Sequence, residues 1–394
     1  MRIESLVIDG IGGIRHLELK FIPKMNIICG SNGVGKTTVL DIIADAFSSA
    51  LTQSRLKRNA QCSEGKYTIR IDVGDGGQPN PKKLAKIVTV FQPNDRQRPN
   101  SEWRSYSRKL LHFDSHRTIP YSELNAVGAD PARDDFDTGK LAVECIEAND
   151  IKNWFVNRYL FVDKGHLARE RISNYHLAER AFGILDHTVA FKYVEANSFD
   201  IMLSTAKGDI YFEYLSSGYK SCIYIILGII KEIEYRTASE PVAAENFDGV
   251  ILIDEIDLHL HPSWQAGLIH ALKEIFPCAQ FILTTHSPSV LQTLNSNEII
   301  ALGSNEAGEP YVKELHLGQY GLQGWTLEEI LKYVMDMPET TSNVYQETLK
   351  RFDEAMNRED PELILREYHV LKEMLHPDNP LRKLLDLQVV EWEG

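Results

Sequence analysis

Short blocks of four or five residues, apolar but for Asn26 and Thr284, recur along the chain, and a glycine or a polar residue follows each at close range. Met25–Cys29, Val250–Ile253, Phe281–Thr284 and Ile299–Leu302 are such blocks. Nearly continuous apolarity over so short a span predicts strands covered on both faces, the pattern of a parallel sheet. Ile3–Ile8 is a further strand, ended by Gly10, Gly12 and Gly13. Leu17, Leu19 and Phe21 alternate with His16, Glu18 and Lys20, a half-exposed strand folding back on the first as a hairpin. Weaker strand patterns lie at Tyr67–Val73, Ile87–Phe91, Leu110–Phe113, Val189–Tyr193, Ile201–Ser204 and Ile210–Tyr214.

Helical spacing alternates with these strands. Val39, Leu40, Ile43, Phe47 and Leu51 share one face and predict a helix over Thr37–Leu51. Ile151–Leu185 reads as mostly helical, Ser221–Tyr235 as a strongly apolar helix, and Pro262–Phe276 as the helix between two buried strands. Residues 118–150, rich in Pro, Gly and Asp, read as loop. Beyond Gly324 the chain turns acidic and helical: Val344, Leu349, Phe352 and Met356 form one face, Leu363, Ile364, Tyr368, Leu371 and Leu375 a second, and Leu381, Leu384 and Leu385 a third.

The strand ends carry the candidate chemistry. Residues Gly30, Ser31, Asn32, Gly33, Val34, Gly35, Lys36 and Thr37, followed by Thr38, sit between a buried strand and an amphipathic helix. That is the context of a phosphate-binding loop, in which glycines let backbone N–H groups wrap around phosphate at a helix N-terminus. Lys36 reaches the β- and γ-phosphates of ATP, and the Thr37 hydroxyl is offered to Mg²⁺. Val250–Ile253 runs directly into Asp254-Glu255, placing one carboxylate for the Mg²⁺ shell and a second, Glu255, to polarise an attacking water. His286 ends the next strand, where an imidazole can bond a γ-phosphate. Leu215-Ser216-Ser217-Gly218-Tyr219 precedes the apolar helix, so Ser217 and the Gly218 amide can grip phosphate at its positive end.

Composition narrows the setting. The 394 residues allow one large α/β domain with an appendage, or two domains. No run of about 18 apolar residues is present, so no membrane helix is expected. Met1-Arg2-Ile3-Glu4 passes straight into a strand pattern, which predicts no secretory leader and a cytoplasmic protein. The five scattered cysteines include no C-x-x-C pair and suit a reducing compartment. The formal charge is −14, but Arg55–Arg117 holds 14 Lys/Arg against 6 Asp/Glu (+8), and 321–394 holds 8 against 16 (−8). A basic arm on an acidic protein suits local contact with nucleic acid through 55–117.

The four motifs in this order resemble the ABC-type ATPase heads of the SMC, RecF and OLD-like group. The opening I-x-G-I-x-x-L-x-L-x-F and the D-E-I-D-L-H-L-H-P of 254–262 are similar to that group too, and the likeness covers roughly residues 1–320. Within it, Phe113-Asp114-Ser115-His116-Arg117 and the acidic tail with Leu375-His376-Pro377-Asp378-Asn379-Pro380 resemble small ATPases of bacterial anti-phage systems, the Septu and retron-associated group. The resemblance implies an α/β P-loop NTPase with a mixed sheet, a helical lobe and a C-terminal helical appendage. The head is expected over 1–322, with a basic insertion at about 54–117, a helical lobe at about 118–190, and a docking region at 323–394.

The same resemblance implies ATP and Mg²⁺ as cofactors, and a homodimer, open to higher-order assembly, in which Ser217-Gly218 of one copy covers the phosphate loop of the other. It also implies a regulatory subunit controlling a separate effector of the HNH-nuclease kind. A RecF-like DNA-binding repair ATPase and a nucleotide-bound structural scaffold are the alternatives. The signature departs from the Ser-Gly-Gly-Gln of many relatives, and Gln92, after the expected strand Ile87–Phe91, is the candidate for the glutamine that touches Mg²⁺. Residues 300–394 contain no Asp-x-Asp, so no second nuclease site of the OLD kind is expected there.

Overall fold

A computed structural model describes residues 1–49, 55–74, 78–96, 102–117, 121, 123–147, 150–337 and 341–392. The chain opens with the hairpin of β1 (Arg2–Ile11) and β2 (Ile14–Lys20), then β3 (Met25–Gly30), the phosphate loop and α1 (Lys36–Ala46). β4 (Gly65–Asp72) and β5 (Pro81–Val88) extend the hairpin into an antiparallel sheet ordered β2-β1-β4-β5. β6 (Leu110–Phe113) leaves this sheet for the centre of the molecule. Three helices follow, α2 (Asp135–Glu144), α3 (Ile151–Phe161) and α4 (Arg169–Leu185), and then a small sheet of β7 (Ala190–Val194), β8 (Ile201–Thr205) and β9 (Gly208–Tyr211). α5 (Ser217–Arg236), β10 (Val250–Ile253), α6 (Pro262–Ile275), β11 (Gln280–Thr284), α7 (Pro288–Leu291), β12 (Ile299–Ser304) and β13 (Pro310–Val312) complete the centre.

The central sheet has the order β13-β12-β3-β11-β10-β6. β12, β3, β11, β10 and β6 run parallel, and β13 pairs antiparallel at one edge. Side chains alternate across it, as the pleat requires. Ile27, Cys29, Leu111, Phe113, Ile251, Ile253 and Leu283 face a core shared with α3 to α6. Ile28, Leu110, Val250, Leu252, Ile282 and Leu302 face one shared with α1 and the antiparallel sheet. Both faces are therefore covered, which is why these strands read as nearly unbroken apolar runs. α5 is apolar nearly all round for the same reason: Ile223, Ile226, Ile229, Ile230 and Ile233 are fully buried, each worth roughly 1.5–3 kcal/mol.

Several expectations are corrected. Within 118–150, expected to be loop, Asp134 caps α2 by accepting from the N–H groups of Phe136 and Asp137, while the Asp137 side chain returns to the Asp134 N–H. Ile151–Leu185 is mostly helical, as expected, with a break at Gly165, whose φ of 73° is left-handed. The strand expected at Ile87–Phe91 is β5, ending at Val88, because Leu84 and Val88 are its buried residues while Ile87 and Phe91 point outward. The first helix ends at Ala46, and Leu51 lies outside the described residues.

The chain divides into two compact units, Met1–Asp336 and Met337–Gly394. The division falls after Asp336 rather than at 322. α8 (Leu327–Glu329) and the wider turn Ile330–Val334 put Ile330, Val334 and Met335 into the core of the first unit. The second unit is a bundle of α9 (Asn343–Asn357), α10 (Pro361–Met374) and α11 (Pro380–Val389), capped by Ser342, Asp360 and Asn379. Its core holds Phe352, Ala355, Ile364, Tyr368, Leu371, Leu385 and Val389. Among the described residues no helix is long and apolar enough to cross a membrane.

Candidate functional site

The parallel strands end on one side of the central sheet, and the candidate residues collect there. Two glycines allow the loop at the end of β3 to form. Gly30 has φ 141°, and a Cβ there would stand 2.2 Å from the Leu302 carbonyl oxygen. Gly35 caps α1 at φ 100°, with no room over Ile14 Cδ1, 2.9 Å from where its Cβ would be. The α1 N-terminus thus opens onto a concave backbone with no side chain at either tight point.

Lys36 folds back over this loop. Its Nζ donates to the carbonyl oxygens of Gly30 (3.0 Å) and Ser31 (2.8 Å). Among the described residues no carboxylate pairs with it, and burial lowers its pKa against the pull of Asp254 and Glu255. A buried ammonium held by carbonyls alone is an electrostatic vacancy for an anion. One residue on, the Thr37 hydroxyl donates to Asp254 Oδ2 at 3.0 Å. Hydroxyl, carboxylate and ammonium stand side by side, a donor set that fits a phosphate with its divalent cation. Thr37 and Asp254 are the residues that would hold the metal.

Strand ends organise the rest. Thr284 Oγ1, at the end of β11, donates to Asp254 Oδ1 (2.5 Å) and accepts from the Glu255 N–H (2.7 Å). Glu255 has φ 47°, left-handed for a residue with a side chain, and such strain persists only where neighbours enforce it. Arg117 is the enforcing neighbour. Its buried guanidinium donates to the carbonyl oxygens of Asp254, Glu255 (2.6 Å) and Asp114 (3.0 Å). Asp257 fixes the following loop, accepting from Thr285 Oγ1 (2.6 Å) and the His286 N–H (3.1 Å). Burial, then the charge of Lys36, lowers the His286 pKa, so its imidazole is neutral at neutral pH. Behind the loop, burial pushes the Asp41 carboxyl up to about 6, with Arg55 at 3.5 Å opposing the rise and Asp254 adding to it.

Gly30 to Thr38, Asp254, Glu255 and His286 therefore share one neighbourhood. Ser217 and Gly218 start α5 elsewhere: Ser217 is exposed, Ser216 Oγ caps the helix, and Gly218 packs on the His259 carbonyl oxygen. Among the described residues no hydrogen bond joins them to the phosphate loop. Among the described residues no hydrogen bond joins the Gln92 side chain to Thr37 or Asp254. Gln92 lies exposed in a turn beyond β5, its N–H bonded to Asp95 Oδ2 at 2.8 Å. The strand beside β10 is β6, not β5, so the segment delivered next to Asp254 is Asp114–Arg117. Arg117, Thr284 and Asp257 went without a role in the sequence. Phe113-Asp114-Ser115-His116-Arg117 stood out as a segment without giving the guanidinium a role, whereas Thr284 and Asp257 carried a positional signal: both are polar residues at or just past the end of a buried run.

Comparison with known proteins follows this geometry. A family described as "AAA domain, putative AbiEii toxin, Type IV TA system" matches residues 25–292. Septu protein PtuA of Bacillus thuringiensis is 43% identical over 401 aligned positions, covering 99% of this chain and 98% of that protein. A retron Ec83 probable ATPase of Escherichia coli is 36% identical, over 32% of this chain and 22% of the relative. In fold, an SMC head crystallised with the C-winged helix domain of ScpA superposes with a TM-score of 0.50 at 16% identity, covering 80% of this chain and 98% of that one. The fold is that of an α/β P-loop ATPase head.

Proposed function

The chain belongs to the AAA-domain family and, within it, to the Septu PtuA group, and from that membership we propose a Mg-ATP-dependent ATPase of anti-phage defence that works as a dimer. The contact of the Thr37 hydroxyl with Asp254 carries the reading, because it joins the phosphate loop to the strand-end carboxylate on a shared metal position. Magnesium, when bound, supplies charge neutralisation on the triphosphate oxygens. Lys36 gives up its carbonyl partners for the β- and γ-phosphates, and the α1 N-terminus adds its backbone N–H groups. Glu255 accepts the proton of the attacking water. Thr284 and Arg117 hold its backbone, so no reorganisation is needed at the moment of attack. The neutral His286 imidazole hydrogen-bonds the γ-phosphate.

Two observations support pairing of heads. Ser217 is exposed at the start of a 20-residue helix, where unsatisfied N–H groups favour an anion, and no hydrogen bond ties that end to its own phosphate loop among the described residues. In the proposed cycle Ser217-Gly218 of each copy grips the γ-phosphate held by the other. Nucleotide then favours the closed pair, because only there are both grips made. Opening after hydrolysis is the signal passed to a separate effector, for which an HNH-type nuclease is the proposed class. Glu255→Gln should bind ATP as wild type does and accumulate as the closed pair, seen as a faster-sedimenting species with ATP and Mg²⁺. Sedimentation identical to wild type under those conditions contradicts the cycle.

A further inference from the structure

A cavity of about 470 Å³ opens beside the start of α5, and none of its lining residues belongs to the phosphate loop. Tyr121, Tyr211 and Tyr214 form its rim, Asp200 and Glu213 its floor, and Lys220 one side. The rim is wet: Tyr121 is 62% and Tyr214 73% exposed. Tyr211 and Tyr214 stand edge to face, centroids 5.3 Å apart. The floor is dry, with the Glu213 side chain 8% and the Asp200 side chain 9% exposed.

The hydrogen bonding on the floor does not close. Lys152 Nζ sits 2.5 Å from Asp200 Oδ1, stacks over Tyr121 at 5.0 Å and stands 3.4 Å from Glu213 Oε1. Lys220, the other cation, donates to the Glu213 backbone carbonyl at 3.0 Å. Among the described residues Glu213 Oε2, buried, has no hydrogen-bond partner. A desolvated carboxylate oxygen left unpaired is costly, and the cost is recovered when a donor arrives. Aromatic faces around such an oxygen select a donor that is also a cation, since ring quadrupoles attract positive charge most strongly when it is desolvated.

We propose that this cavity is a binding site for a guanidinium or ammonium group, supplied by an arginine or lysine side chain of a partner polypeptide. Glu213 Oε2 accepts its N–H and the tyrosine rim covers its stem. The site stands on its own, independent of the nucleotide reading. Its walls do flank the signature: Glu213 and Tyr214 precede Ser217-Gly218 and Lys220 follows it. An inserted side chain would therefore touch both ends of the segment proposed to grip phosphate.

The test uses the full chain and N-acetyl-arginine methylamide as probe, read by saturation-transfer NMR, with the uncharged citrulline analogue as control. The expected result is saturable binding of the arginine probe, at least tenfold weaker binding of the citrulline one, and at least a fivefold loss in Glu213→Gln. Tyr214→Ala, at an exposed position, should show a similar loss and keeps the test valid if Glu213→Gln folds poorly. ATP binding by both variants should match wild type. Equal binding of the two probes, no saturable binding, or unchanged affinity in Tyr214→Ala overturns the proposal. Spermidine is the comparison that separates sources: if it binds more tightly than the arginine probe, the cavity takes a free polyamine and the side-chain assignment fails.

Discussion

At the scale of single residues, the site divides into groups proposed to meet phosphate and groups that hold them in place. Lys36 and Thr37 were legible from the glycine-rich loop that follows a buried run, and Asp254 and Glu255 because they end one. Arg117 was not, because its role is carried by carbonyl oxygens that sequence does not show: it gathers those of Asp114, Asp254 and Glu255 under the left-handed turn at Glu255. It is a positioning residue, and its loss should misplace the Glu255 carboxylate without touching the phosphate loop. Arg117→Ala is expected to lower kcat for ATP hydrolysis about a hundredfold, the cost of a displacement near 1 Å at a reacting group, while leaving ATP affinity nearly unchanged. Added guanidinium should restore part of the loss, which general destabilisation would not allow. A folded Arg117→Ala with wild-type kcat removes Arg117 from this account. Gln92 lies exposed beyond β5, an edge strand of the outer sheet whose Ile87 points outward.

At the scale of elements, the central strands were readable to within a residue or two, since burial on both faces writes itself as nearly continuous apolarity. α2 was hidden because its flanks are rich in Pro, Gly and Asp. The informative signal was the spacing of Asp134 and Asp137. The helical lobe is tied to α5 by a polar knot that no periodicity predicts. Glu234, on α5, accepts from Trp154 Nε1 (2.8 Å), from Arg158 Nε (2.7 Å) and from Asn174 Nδ2 (3.0 Å), joining α3 and α4 to the helix that begins at Ser217. Arg158 and Glu234 side chains are each 1% exposed. Removing Glu234 leaves Arg158 with Asp130 as its remaining carboxylate and takes the acceptor from buried Trp154 Nε1, at a cost of about 3 kcal/mol. Glu234→Ala should lose that much in urea unfolding. A loss under about 1 kcal/mol would mean the knot contributes no more than a surface ion pair.

At the scale of the whole molecule, net charge proved a poor guide to surface. Of the cations counted in 55–117, Lys86 pairs with Asp45, Arg108 with Asp135, Lys109 with Asp248, and Arg117 with carbonyls. Lys66, Arg70 and Lys83 remain exposed on β4 and β5, and Arg70 and Lys83 are register partners. A sum along the sequence cannot separate cations already held in ion pairs from those left to face solvent, which only the fold decides. The same limit applies to pairing: sequence supplies Ser217-Gly218 and the phosphate loop but not whether they meet within one chain or between two. Mixing two inactive variants decides it. Lys36→Ala lacks a phosphate loop, Gly218→Asp lacks a grip, and each alone should hydrolyse no ATP. Combined, random pairing places one intact loop opposite one intact grip, and turnover should return to about a quarter of wild type. A mixture as inactive as its components, with both variants folded and Gly218→Asp still binding ATP, would show that the two motifs do not complete one another across a pair.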